Sequence, residues 1–308
     1  MIKNYILDDT SWLETSMEEE ANWVDLEGPN TEELLAVAER YNLPPLFLSD
    51  PLDPRERPRL DDEDEAILII VRAPCVHKEL NAVFSTIPIG IIITPRMILT
   101  VCREPGLARQ LLSRETRKPR VINRQSLLFK ILIEISSDFI HQLEVLEDLA
   151  EEAERHLSKS QQNEQLMTLL TIEKALINFS VALHSNRSIM EKLKTGATMN
   201  YSDEQAGWLD HALIENQQAV FTVEIFGQIV GSMGDAFGVI ISNNLNKVMK
   251  FLTGVTIILM VPTLIVGAYG MNVRLPLAEF ELAFYILAFL CLASSLVILL
   301  YFNRRKWL

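Results

Sequence analysis

Cysteine is nearly absent: Cys75, Cys102 and Cys291 are the only three in 308 residues, and no CxxC occurs. That excludes a disulfide framework. Cys75-Val76-His77 offers two ligands where a zinc site needs four, so the thiols read as structural residues. Positive charge is also scarce, with 28 Lys and Arg against 41 Asp and Glu and a net charge of −13. A nucleic-acid binder needs clustered cations to replace phosphate counterions, so nucleic acid is excluded as a partner. GxGxxG, the P-loop, GxSxG and HExxH are all missing, and nothing points to an enzyme or to a bound cofactor. The opening residues Met1 to Tyr5 soon meet Asp8-Asp9 without an apolar stretch, which predicts no signal peptide and a cytoplasmic body. Apolar residues are not lacking. They make up 49% of the chain, which excludes intrinsic disorder.

What is present is unevenly spread. Residues 251–308 hold only Arg274, Arg304, Arg305 and Lys306 against Glu279 and Glu281, leaving 24 basic and 39 acidic residues in 1–250. Lys250 and Arg274 bracket 23 uncharged residues, and Glu281 and Arg304 bracket 22 more. Each run is long enough to cross a hydrocarbon core as a helix, for which about 20 residues suffice. The eight residues 274–281 join them, so the spans form a tight hairpin with both chain ends on one side. Lys247, Lys250, Arg304, Arg305 and Lys306 lie on that side, and the positive-inside rule makes it cytoplasmic. The expectation is a multi-pass protein of the cell (inner or plasma) membrane, with both termini inside and Glu279 and Glu281 in the outer loop.

The second span is uniformly greasy, with Cys291, Ser294 and Ser295 as its mildest polar content, and reads as lipid-facing. The first differs. Ser242, Asn246, Met249, Thr253, Thr256, Met260, Thr263, Gly267 and Gly270 follow one another at alternating steps of four and three. A sustained period of 3.5 places them on one seam of a helix in a left-handed bundle. Such a seam serves either close helix packing or a water-lined path. Two helices enclose no pore, so the second reading requires several copies around an axis.

Ahead of the membrane, long helices are predicted over 124–157 and 163–193, and a third from Asp203 with no breaker before Pro262. Unbroken to Tyr269, the third would be about 100 Å long at 1.5 Å per residue. On it Gly227, Gly231, Gly234 and Gly238 recur at steps of four, three and four, with Asp235 among them. Glycine weakens a helix, so the repetition suggests copies meeting closely, with Asp235 as a ring of acids at an inner mouth. Residues 1–120 read as α/β, with strands over 23–26, 66–71, 83–94 and 97–101 and helices over 31–41 and 106–114. The run Asp61 to Glu65 reads as a solvated turn between strands, a weak divalent-cation site being the sharper alternative. The divisions are thus an α/β domain over 1–120, a stalk over 121–250, spans over 251–273 and 282–303, a loop over 274–281 and a basic tail over 304–308.

Tyr269-Gly270-Met271-Asn272 closes the first span, the outer loop is short and acidic, and the second span ends in Arg304-Arg305-Lys306-Trp307-Leu308. With Asn246 to Lys250 and Trp23-Val24-Asp25-Leu26, these residues resemble the CorA family of divalent-cation channels, the two-transmembrane GxN superfamily, over the whole chain. The resemblance implies a funnel-shaped homopentamer of α/β domains and long helices, with the first span lining an axial pore. It implies that Gly270, Met271 and Asn272 form a ring holding hydrated Mg2+ at the outer mouth, in keeping with the reluctance of Mg2+ to shed water. Thr263, Thr256, Thr253 and Asn246 would offer oxygens along the path, and Met249 and Leu252 an apolar constriction that gates by dewetting. Glu279 and Glu281 would concentrate cations. The loop departs from the Met-Pro-Glu-Leu type of well-known members, since Arg274-Leu275-Pro276-Leu277-Ala278 intervenes. Where the family senses cytoplasmic Mg2+ with carboxylates between subunits, this chain has His77 and His211, with Asp210 adjacent. They are either surface histidines or an imidazole site favouring Zn2+, Co2+ or Ni2+, or responsive to protons. The expected cargo is Mg2+, with Co2+ and Ni2+. The alternatives are a Zn2+ transporter of the ZntB branch, proton-coupled, and a membrane-anchored sensor or scaffold.

Overall fold

The computed structural model describes residues 1–8, 11–16, 20–63, 65–77, 83–113, 124–156, 162–196, 201–271, 282–305 and 307. It divides into two units, Met1–Gly234 and Asp235–Leu308.

The first unit is built on a seven-stranded sheet of order β2-β1-β3-β7-β6-β5-β4. Its strands are β1 (Ile2–Asp8), β2 (Ser11–Thr15), β3 (Trp23–Glu27), β4 (Arg59–Glu63), β5 (Ala66–His77), β6 (Val83–Ile93) and β7 (Ile98–Cys102). Pairing is antiparallel except between β3 and β7. Alternation along β3 sends Val24 and Leu26 to one face and Trp23, Asp25 and Glu27 to the other. On the first face α1 (Thr31–Tyr41) and α2 (Pro45–Ser49) close a core of Val24, Leu26, Val37, Phe47, Leu48, Leu68, Ile70 and Leu99. Asn30 and Glu33 start α1 with a reciprocal capping box. Gly90 on β6 is required there, because a Cβ would collide with Pro51 on the 3-10 turn Asp50–Leu52.

On the second face lie α3 (Leu107–Ser113), α4 (Arg124–His156) and α5 (Gln162–Thr195). Phe139 and Phe179 meet edge to face at 5.1 Å between α4 and α5. Asn186 fastens α5 to the sheet: its amide accepts from the Arg72 N–H at 2.8 Å and donates to the Arg72 carbonyl at 2.7 Å. Among the described residues, three helices are long and apolar enough to cross a membrane, α5 among them. The hydropathy of α5 has another use, however, because Leu169, Ile172, Leu176, Phe179 and Leu183 are buried within the first unit.

Helix α6 (Asp203–Tyr269) begins in the first unit and ends in the second without a break. In the first unit it runs antiparallel to α5, tied by Lys194–Asp210 at 2.6 Å, His184–Glu224 at 3.2 Å and an Arg187–Gln217 hydrogen bond. In the second unit it pairs with α7 (Ala283–Arg304).

Several elements differ from expectation. Strand β4 runs through Asp61, Asp62 and Glu63, so three residues of the acidic run lie on a strand rather than a turn. As the sheet edge it tolerates charge, and Arg59 holds Asp61 at 2.5 Å and Asp50 at 2.6 Å. β1, β2 and α2 were not foreseen, and β5 is longer than the apolar run that announced it.

Candidate functional site

The candidate site is the face of α6 in the second unit. Pro262 lies inside the helix and has no N–H, so the Ile258 carbonyl loses its partner four residues on. Ser295 of α7 donates its hydroxyl to that carbonyl at 3.3 Å, and the Cys291 thiol lies 3.9 Å from the Pro262 carbonyl. These contacts fix both the register of the hairpin and the face of α6 that α7 covers. On that face Gly254 is buried and Ile258, Val261 and Ile265 are half-buried. The matching stripe of α7, Leu287, Cys291, Ser294, Ser295 and Ile298, is half-buried too, and Phe302 is buried. One stripe of α7 is therefore in contact with α6 rather than exposed. Its small polar residues form the contact with α6, because close approach of two backbones in lipid needs small side chains.

The nine seam residues lie elsewhere. Ser242, Asn246, Met249, Thr253, Thr256, Met260, Thr263, Gly267 and Gly270 are all exposed in the single chain. Leu252 beside the seam is 57% exposed and Met249 52%. Thr256 and Thr263 donate their hydroxyl protons to the carbonyls of Leu252 and Leu259, both at 2.8 Å. With the proton so used, each hydroxyl presents only lone pairs outward, the polarity that the water shell of a cation requires. At the C-terminal end of α6, Gly270 N–H bonds to Val266 and Gly267 carbonyls at 2.9 and 3.2 Å, and Met271, exposed, follows. Asn272, Glu279 and Glu281 lie outside the described residues.

The glycines are informative by what they do not meet. A Cβ on Gly227, Gly231, Gly234, Gly238 or Gly267 would find nothing within 4 Å. Nothing among the described residues of one chain therefore explains these five glycines. Asp235 among them is exposed.

The three candidate regulatory residues are not assembled within one chain. Asp210 is engaged by Lys194, His211 is exposed, and the side chain of His77 lies outside the described residues, although its backbone pairs with Val83 at the end of β5. Among the described residues no three His, Cys, Asp or Glu side chains converge as a metal centre, the acidic run of β4 included.

Two features escaped sequence reasoning. One is the Ser295–Ile258 bond, which Pro262 could have signalled had the hairpin register been known. The other is a buried polar chain on the second sheet face. There Trp23 Nε1–H donates to Thr100 Oγ1 at 3.0 Å, which donates to Asp25 Oδ1 at 2.6 Å. Burial pushes the Asp25 carboxyl up to about 6; neighbouring Glu27 adds to this, while Thr100, Arg109 and Lys3 oppose it. Glu27 is also raised by burial, but hydrogen bonds from Arg109 and Lys3 outweigh that and hold it below the usual range.

Comparison with known proteins gives a consistent picture. Residues 18–305 match the family model described as CorA-like Mg2+ transporter protein. The cobalt/magnesium transport protein CorA of Methanocaldococcus jannaschii is 29% identical over 294 residues, which cover 93% of this chain and 91% of that protein. The complete structure of the CorA magnesium transporter from Methanocaldococcus jannaschii superposes with a TM-score of 0.82 at 27% identity, covering 100% of this chain and 99% of the other. The ZntB cytoplasmic domain from Vibrio parahaemolyticus shares the fold, with a TM-score of 0.60 at 16% identity over 78% of this chain and 98% of that one.

Proposed function

The chain belongs to the CorA-like Mg2+ transporter protein family, and from that premise we propose that it is a homopentameric channel admitting Mg2+ through an axial pore lined by α6. The observation that carries the proposal is the seam: nine residues at a period of 3.5, all left uncovered while α7 packs elsewhere on α6. Covering them takes further copies of α6, and five is the number the family resemblance supplies. The related CorA transport protein is named for cobalt and magnesium, and Co2+ and Ni2+ are proposed as further cargo.

Hydrated Mg2+ is held at the outer mouth by a ring of Gly270, Met271 and Asn272, through amide and backbone oxygens that accept from its water shell. Thr263, Thr256, Thr253, Asn246 and Ser242 supply acceptors along the path, and Asp235 a ring of acids below it. Met260 and Gly267 complete the lining. Met249 and Leu252 form the apolar constriction that closes when dewetted. Glu279 and Glu281 gather cations at the entrance. Intracellular metal, bound between subunits near His77, Asp210 and His211, biases the constriction. A potential of 100 mV supplies about 4.6 kcal/mol to an entering divalent ion.

The test is metal uptake into liposomes holding the purified protein, with and without an imposed potential. Potential-driven Mg2+ entry is expected, and Asn272→Ala is expected to abolish it. Zn2+ entry that follows a proton gradient would move the protein to a ZntB-like activity. No flux of any ion from verified oligomers would leave a sensor or scaffold.

A further inference from the structure

The hairpin register has a consequence at the other end of the membrane. Ser295 lies against Ile258 and Cys291 against Pro262, so α6 and α7 run antiparallel with matched steps of four residues. Carried nine residues along each helix, the same register brings Arg304 level with Met249 and Arg305 level with Val248. Lys247 and Lys250 flank those two positions, so four cations of one chain share a single turn of helix, a height of about 5 Å. All four are exposed. Among the described residues none of them has a salt-bridge partner; the acidic side chains of 235–308 are Asp235, three turns away along α6, and Glu279 and Glu281, more than 20 residues away in sequence.

The aromatic residues around this turn are fixed. The chain reverses after α7: Trp307 N–H bonds to the Phe302 carbonyl at 3.0 Å, and its indole stacks on the Phe302 ring at 5.3 Å with 7° between planes. Phe302 is the one buried residue of α7. The Arg305 guanidinium sits over the Tyr301 ring at 5.8 Å. Amphipathic rings beside cations, immediately below an apolar span, are the composition of a headgroup level.

We propose that this turn is a binding site for the phosphate of an anionic phospholipid of the cytoplasmic leaflet, held by Lys247, Lys250, Arg304 and Arg305 with Tyr301 and Trp307 against its glycerol and upper acyl region. Four like charges at one height of the hairpin make a positive level there, which attracts an anion. The site is a property of the hairpin within one chain and rests only on the reading that α6 and α7 span a membrane. Where the channel reading also holds, the lipid has a further use: Lys250 adjoins Met249 of the constriction, and a neutralised collar opposes the exit of a divalent cation less.

The test is native mass spectrometry of the full-length oligomer, purified in detergent and given phosphatidylglycerol or phosphatidylcholine of matched chain length, with inorganic phosphate as competitor. Each cation near an anionic surface is worth roughly a fivefold gain, so retention of phosphatidylglycerol is expected to exceed that of phosphatidylcholine by at least about tenfold. The Lys247→Gln/Lys250→Gln and Arg304→Gln/Arg305→Gln pairs are each expected to bring the ratio down by about tenfold or more, while Lys247→Arg/Lys250→Arg keeps it. The charge-preserving pair separates loss of the site from loss of fold. Equal retention of the two lipids would overturn the proposal, as would a preference that survives both Gln pairs. Displacement of the lipid by millimolar phosphate would assign the turn to free anions instead and overturn it too. The readout is lipid bound, so failed metal uptake would sink the channel reading without touching this one.

Discussion

At the scale of single residues, the two polar groups that matter most are ones the sequence hides. Asp25 lies in a Trp-Val-Asp-Leu run that any alternating strand would show; only the register of β3 against β7 puts it beneath Thr100. Its carboxyl, at about 6 in the folded state against an ordinary 3.8, binds its proton more tightly folded than unfolded. Its contribution to stability is therefore fully present below about pH 4 and is lost as pH rises through about 6, by about 3 kcal/mol at most. The facing groups that oppose or add to this are Lys3 on β1, Glu27 on β3 and Arg109 on α3. Asp25→Asn is expected to flatten the stability profile between pH 4 and 6, measured by denaturant unfolding of the full chain in detergent at fixed ionic strength. An unchanged slope would show that Asp25 does not titrate there.

Ser295 is the second such residue. Ser295→Ala leaves the Ile258 carbonyl without a donor and is expected to cost about 1 kcal/mol, the scale of interhelical hydrogen bonds in lipid. Pro262→Ala returns an N–H to the helix, so the same Ser295→Ala change made on that background should cost markedly less. Equal costs in the two backgrounds, read by equilibrium unfolding in micelles, would contradict the repair role.

At the scale of elements, what could be read depended on where the signal resides. α1 and α6 begin and end where expected because their limits are written locally: Asn30 and Glu33 cap one, and the other runs uninterrupted from Asp203 to Tyr269. The 3.5-residue seam was equally legible, being a property of spacing alone. β1 and β4 were not, since Ile2–Asp8 and Arg59–Glu63 carry lysine, asparagine and acids that no strand pattern favours. They are strands because a neighbour supplies the ladder, and strand preference follows context more than composition. The α7 stripe failed for the same reason: three small polar residues look incidental until α6 is beside them. The glycines of α6 carry a prediction at this scale. With open space at Gly231 and Gly234, a single chain should accept Gly231→Leu/Gly234→Leu and gain helix propensity. An oligomer that closes on those positions should not. The variant is expected to elute as smaller species with its helicity intact; an unchanged oligomer would remove the glycines from the interface.

At the scale of the whole molecule, this chain of the CorA-like family has a sheet-based unit and a unit of two apolar helices, with α6 running in both. Asn272, proposed for the filter, was legible only through the family signature, and with Glu279 and Glu281 it lies outside the described residues. The seam therefore decides whether α6 lines a pore. The most direct measurement is a cysteine scan over 253–267 on a background lacking Cys75, Cys102 and Cys291, reading block of reconstituted Mg2+ uptake by a positively charged thiol reagent. Block is predicted at Thr253, Thr256, Met260, Thr263 and Gly267, and not at Ile258 or Ile265, which α7 covers. Block spread without a 3.5-residue period, or confined to the covered face, would contradict a pore lined by this helix.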